Sequence, residues 1–228
     1  MSSPVFSLRI LVMGDVGVGK SALSVRYLTR RYLGEYLSNT DVLYRCAVEV
    51  ETDLVTLEIL DSSCAAITNS DKATTTTPEV QDSAEQQINC QIKWSDAIIV
   101  LYSIISRASF HVARKILQKI RKIKLTTPVP IILLGNKTDI KHRRETSVNE
   151  GRKLSEEFGC QFYELSTAES VAGVSMSFDS LIREAQALRI CHPKTFPRRS
   201  RTSLLSVSKM IGAMFGKATK KKRPSLSL

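Results

Sequence analysis

Residues 14–21 read GDVGVGKS, with the apolar run VFSLRILVM at 5–13 before them and ALSVRYLTRRYL after them. The leading run has the composition of a buried strand closed by Gly14. Past the lysine the apolar residues change to helical spacing, Ala22 and Val25 three apart and Leu23 and Tyr27 four apart. A strand, a turn reading G-x-x-x-x-G-K-[ST] and a helix, in that order, make a phosphate cradle. Amide N–H groups from Gly17 to Ser21 stand at the helix start, where they meet phosphate oxygens, and the glycines let the backbone come close. Lys20 brings a point charge to the outer phosphates, and the Ser21 hydroxyl supplies an oxygen of the kind Mg²⁺ takes. The whole stretch Gly14, Asp15, Val16, Gly17, Val18, Gly19, Lys20 and Ser21 is therefore expected to hold phosphate.

Outward from this motif, strand and helix alternate. CAVEV at 46–50 and LVTLEIL at 54–60 read as a hairpin about the turn ETD. AIIVLYSI at 97–104 and VPIILLGN at 129–136 are unbroken apolar runs, the pattern of parallel strands covered on both faces. SFHVARKILQKIRKI between them reads as an amphipathic helix with a basic outer face. NEGRKLSEEFG at 149–159, CQFYELS at 160–166 and SMSFDSLIREAQALRI at 175–190 continue as helix, strand and helix. The expectation is an α/β, doubly wound sheet in which one early hairpin adds an antiparallel edge. Ligands in such sheets bind at the carboxyl ends of strands, where both Gly14 and Asn136 fall.

The chain has 228 residues, 43% hydrophobic and 24% charged, which are ordinary globular values. It contains no apolar run of about 18 residues that would span a bilayer. No secretory leader pattern opens it, so an intracellular location is expected. Cys46, Cys64, Cys90, Cys160 and Cys191 are an odd set without C-x-x-C spacing and are expected to be reduced thiols, mostly buried. The net charge of +11 is unevenly placed: from His192 onward there are 10 Lys or Arg and no acid, so 11 less 10 leaves the first 191 residues at +1. Division into a nucleotide-binding domain over 1–191 and a basic tail over 192–228 follows.

NKTD at 136–139 follows the strand VPIILLG. Together with the phosphate motif it resembles the Ras-like small GTPases, in which N-K-x-D reads guanine. The Asp139 carboxylate would accept from the ring N–H and exocyclic amine, Asn136 would brace the loop, and the Lys137 stem would lie along the base. The resemblance covers roughly residues 5–190. YLTRRYLGEY, VLYR, LEILD and WSDAIIVLYSI are most similar to the RERG and Ras-like family eleven branch. It implies the P-loop small G-protein fold: a mostly parallel six-stranded sheet, one antiparallel edge strand and flanking helices. It further implies GTP/GDP and Mg²⁺ as ligands, effector proteins as partners, a role in signalling and a monomer. Tyr32 would stack on guanine, Asp61 would hold Mg²⁺ through water, and Ser166, Thr167 and Ala168 of ELSTAES would lie near the base. Ala168 stands where the family has lysine.

Other departures fall around the third strand and the first switch. The family's D-x-x-G-Q is here Asp61-Ser62-Ser63-Cys64-Ala65, so the sensing glycine and the water-orienting glutamine are both replaced. Val16 occupies a position where many members have glycine. These replacements imply slow GTP hydrolysis; no catalytic residue is assigned, the glutamine position being Ala65. The alternative is a pseudo-GTPase binding module with little or no nucleotide-dependent switching. A gapless alignment of GEYLSNTD puts Asn39 in the magnesium-binding threonine's place, and a shift of one residue restores Thr40. Residues 67–93, polar and Thr-rich, are expected to form an expanded, flexible loop. In the tail, Leu204, Val207, Met210/Ile211, Met214/Phe215 and Ala218 share a helical face beside KATKKKR. That pattern leaves three readings open: an anionic membrane surface, a nuclear or nucleic-acid contact, and a solvated tail. SLSL at the end carries no prenylation cysteine.

Overall fold

The computed structural model describes residues 6–34, 36, 40–50, 53–63 and 78–191. Asn39, Cys64, Ala65, residues 67–77 and the tail at 192–228 lie outside the described residues. Six strands form one sheet in the order β2-β3-β1-β4-β5-β6. They are β1 (Phe6–Gly14), β2 (Val42–Val50), β3 (Asp53–Asp61), β4 (Ala97–Ser103), β5 (Ile131–Asn136) and β6 (Gln161–Glu164). Only β2 and β3 pair antiparallel; the other neighbours are parallel. This is the expected mostly parallel sheet with one antiparallel edge strand, and β2 begins at Val42, ahead of the expected 46.

Why the strands read as unbroken apolar runs is visible in their two faces. Side chains alternate across a sheet, so Leu8, Ile10 and Val12 of β1 enter one core while Leu11 and Met13 enter the other. On β4, Ala97, Ile99 and Leu101 take the first face and Ile98, Val100 and Tyr102 the second. Helices α1 (Lys20–Thr29) and α5 (Val171–Cys191) cover the first face, joined by Tyr27 stacked on Phe178 with ring centroids 3.9 Å apart. Helices α2 (Pro78–Trp94), α3 (Arg107–Ile123) and α4 (Val148–Phe158) cover the second. Phe110, Ala113, Ile116, Leu117 and Ile120 bury one side of α3, leaving Arg121 and Lys122 on its exposed side. A capping box starts α4, with Ser147 and Glu150 bonding each other's backbone N–H, and Gly159 ends it in a left-handed turn.

Two expectations are corrected. The loop placed at 67–93 is, from Pro78 onward, helix α2. Its polar surface hides a short apolar edge: Ile88 and Ile92, one helical turn apart, are buried against the second face. The thiols are also less buried than expected: Cys90 and Cys191 are exposed, Cys46 and Cys160 half-buried, and all four are free. Cys90 projects from the polar side of α2 and Cys191 closes α5, where no core reaches them. Among the described residues, no helix is long and apolar enough to cross a membrane.

Candidate functional site

Gly14, Asp61, Asn136 and Glu164 end β1, β3, β5 and β6 at the same edge of the sheet. A cleft of about 390 Å³ opens there, lined by Val16, Gly17, Gly19, Lys20 and Ser21 from the phosphate motif and by Tyr32, Tyr36 and Thr40 from the next loop. Asp61, Ser62, Ser63, Asn136, Lys137, Asp139, Thr167 and Ala168 also line it. Residues as far apart in the chain as Val16 and Ala168 thus face one space, and with Gly14, Asp15, Val18 and Ser166 next to them in the chain they include every candidate site residue that the structure describes.

The phosphate loop is shaped from within. Lys20 folds back over it, its Nζ donating to the Gly14 carbonyl at 3.0 Å and the Asp15 carbonyl at 2.8 Å. Asp15 Oδ1 accepts from the Val16 N–H at 2.8 Å. Gly19 caps α1 with φ +102° and offers no side-chain oxygen to its first amides. A Cβ at Gly19 would collide with Asn136 Nδ2, so glycine is required there by backbone and by space. Val18 is buried behind the loop, whereas Val16 is 53% exposed at the mouth of the cleft. Its side chain is thus available to whatever enters.

Ser21 Oγ donates to Asp61 Oδ2 at 2.5 Å. Asp61 is buried, and that desolvation pushes its carboxyl above the ordinary range; the Ser21 hydroxyl and the Lys20 charge pull the other way, and Asp41 adds to the rise. A buried carboxylate beside a hydroxyl is a hard-oxygen donor pair that a divalent cation would relieve of its desolvation. The residues present therefore fit Mg²⁺. Thr40 lines the same cleft.

On the side of the NKTD loop, Asn136 is buried and fully engaged. Its Nδ2 donates to the Val18 carbonyl at 2.8 Å and to Thr167 Oγ1 at 3.2 Å, and its Oδ1 accepts from the Thr167 N–H at 3.0 Å. One side chain thereby ties the phosphate loop to the ELSTAES loop. Lys137 adopts a left-handed conformation, φ +71°, at the head of a 3₁₀ helix over Thr138–Arg143, which leaves Asp139 exposed on the cleft. Ser166 Oγ accepts from the Glu169 N–H at 3.2 Å, and the Ala168 carbonyl accepts from Arg26 Nη2 at 3.2 Å. Arg144 holds Glu164 at 2.8 Å and 2.7 Å beneath this loop. Tyr32, 45% exposed, lies edge-on to Tyr36 with centroids 6.3 Å apart, and the Tyr36 hydroxyl accepts from the Leu33 N–H at 2.9 Å.

The sequence left Arg26, Tyr36 and Asp41 without roles. Tyr36 and Asp41 both stood inside the quoted GEYLSNTD; the partners of Arg26 and Asp41 are remote in the chain, and Tyr36 meets only its near neighbours Tyr32 and Leu33.

The GDVGVGKS loop after β1, an oxygen pair closing β3 and the NKTD loop after β5, on a mostly parallel sheet with one antiparallel edge strand, define a P-loop protein of the small G-protein class. The Ras family model matches residues 9–66 and 72–187. Human Ras-like protein family member 11B is 31% identical over 198 residues, covering 87% of this chain and 75% of that protein. Bovine Ras-related and estrogen-regulated growth inhibitor is 32% identical over 210 residues, covering 92% and 96%. Bovine Ras-related and estrogen-regulated growth inhibitor-like protein is 33% identical over 218 residues, covering 93% and 98%. The chain belongs to the Ras family, the GTP-binding small GTPases.

Proposed function

We propose that this protein binds guanine nucleotide with Mg²⁺ and hydrolyses GTP slowly, spending most of its time loaded. The observation that carries the reading is Asn136, whose three hydrogen bonds hold the phosphate loop and the base loop as two walls of one cleft. In this reading residues Gly14 to Ser21 hold the phosphates, with Lys20 turning from the loop carbonyls to the outer phosphates. Asp139 accepts from the guanine donors, Lys137 and Tyr32 flank the ring, and Ser166, Thr167 and Ala168 close its edge. Ser21 and Thr40, and Asp61 through water, would hold Mg²⁺, which would supply charge neutralisation at the phosphates.

Slow hydrolysis rests on Ala65, which has no group to orient water, and on Val16 at the mouth of the cleft. The basic tail is proposed to localise an intracellular protein; truncation after Ser203 should release any membrane or nuclear enrichment seen by imaging.

The test is to purify the protein in Mg²⁺, denature it and identify the released nucleotide, then follow a single turnover of loaded GTP. Retained GTP and a rate below the roughly 10⁻⁴ s⁻¹ scale of intrinsic Ras-type hydrolysis are expected. GDP with a fast turnover would refute slow hydrolysis, and a site that takes up no guanine nucleotide would refute binding.

A further inference from the structure

Outside the cleft, the Asp41 carboxylate accepts three hydrogen bonds. Its Oδ1 accepts from the Ser63 N–H at 2.7 Å, and its Oδ2 accepts from Gln87 Nε2 at 2.8 Å and Gln91 Nε2 at 2.6 Å. Gln91 also accepts, its Oε1 receiving the Ser62 hydroxyl at 2.7 Å. One carboxylate thus joins three segments 22 to 50 residues apart: the loop carrying Thr40, the two serines after Asp61, and α2. Gln87 and Gln91 stand one helical turn apart on the same side of α2. The adjoining side buries Ile88 and Ile92 in the core, and Lys119 of α3 grips Glu85 at 2.6 Å, so this end of the helix is firmly seated.

We propose that Asp41 is a positioning residue that carries the state of the phosphate end of the cleft to α2 through Gln87 and Gln91, in place of a glycine after Asp61. Thr40 lines the cleft and Asp41 follows it directly. Consecutive Cα atoms are fixed about 3.8 Å apart, so a shift that brings Thr40 onto a cation or terminal phosphate is handed to Asp41. Bonds of 2.6 to 2.8 Å lose most of their strength when stretched by about 1 Å. The glutamines therefore either follow Asp41 or let go, so that side of α2 is held or released while Ile88 and Ile92 stay seated. The Ser63 N–H is committed to the same carboxylate, so Ser63 moves with this junction.

This inference rests on the proposed nucleotide binding and is tested from the α2 side, since neither glutamine lines the cleft. Full-length wild type, Gln87→Ala/Gln91→Ala and Gln91→Glu are loaded with GDP or GTPγS in Mg²⁺. Affinity for each nucleotide is measured, and hydrogen exchange is followed over residues 85–94. Gln91→Glu keeps the acceptor for Ser62 but sets a carboxylate against Asp41; adding Asp41→Asn restores a donor between them.

In wild type, exchange of α2 should differ between the two nucleotides. Both glutamine variants should lose that difference and change the GTPγS-to-GDP affinity ratio at least about fivefold, the lower range of allosteric couplings. Asp41→Asn with Gln91→Glu should recover part of both effects, which simple loss of packing would not allow. Variants that keep the exchange difference and the affinity ratio would overturn the proposal, as would a wild type that binds both nucleotides with identical α2 exchange. Wild type that binds neither nucleotide would overturn the proposed function, and this coupling with it.

Discussion

Replacing Asn136 by alanine should destabilise the nucleotide-free domain by about 3 kcal/mol. The side chain is buried, and its removal leaves the Val18 carbonyl and the Thr167 N–H without their partners, each inside the protein. A buried group orphaned in this way costs about 1–3 kcal/mol, while Thr167 Oγ1 can rotate to recover some of its loss. With a urea m-value of about 2 kcal/mol/M, the denaturation midpoint should fall by roughly 1.5 M. Asn136→Asp separates the two ends of the bridge, because it keeps an acceptor for Thr167 but turns a second oxygen towards the Val18 carbonyl. It should be at least as damaging as alanine. Urea unfolding followed by circular dichroism reads both variants, and release of a fluorescent GDP analogue reads the consequence for the cleft. A loss below about 1 kcal/mol for Asn136→Ala, with unchanged release, would refute the claim that this residue ties the two loops together.

Arg26→Ala removes the donor to the Ala168 carbonyl and should speed GDP release about three- to tenfold, equivalent to roughly 1 kcal/mol, as stopped-flow fluorescence would show; no change would mean that the base loop holds itself. Ala65→Gln combined with Val16→Gly should raise single-turnover hydrolysis at least about tenfold, and an unaltered rate would remove both residues from the explanation of slow turnover. Glu150 is held down to about 2 by the Ser147 N–H, the Arg107 side chain and the Ser147 hydroxyl. Its contribution is therefore full above the ordinary carboxyl value of 4.5 and disappears as pH falls towards 2. The stability gap between wild type and Glu150→Gln should be open at pH 6 and close on acidification, and a gap independent of pH would point away from the capping box.

The parts of the fold that could be read in the chain are those whose physics is local. VFSLRILVM, AIIVLYSI and VPIILLGN became β1, β4 and β5 because apolar runs of that length need cover on both faces. GDVGVGKS and NKTD were legible because their spacing is set by the ligand chemistry expected of them. Helix α2 was not, because its buried edge amounts to Ile88 and Ile92 within a stretch of Gln, Asn, Ser and acids. The junction at Asp41 was equally hidden. A carboxylate has no periodicity, and whether it meets Ser63 or Gln91 is decided by the pairing of β2 with β3 and the seating of α2, both long-range events.

Strand β1 lies between β3 and β4, so the sheet has two halves that meet only along one strand. One half carries Asp61 and, at the start of β2, the residues that follow Thr40; the other carries Asn136 and the ELSTAES loop. The strand pairing between the halves runs through β1 alone, and the helices on the two faces and the cleft supply the other contacts. In the proposed reading, base recognition and phosphate handling therefore sit on different halves of the sheet, so the residues after Asp61 can differ from the family pattern without touching the loop that carries NKTD.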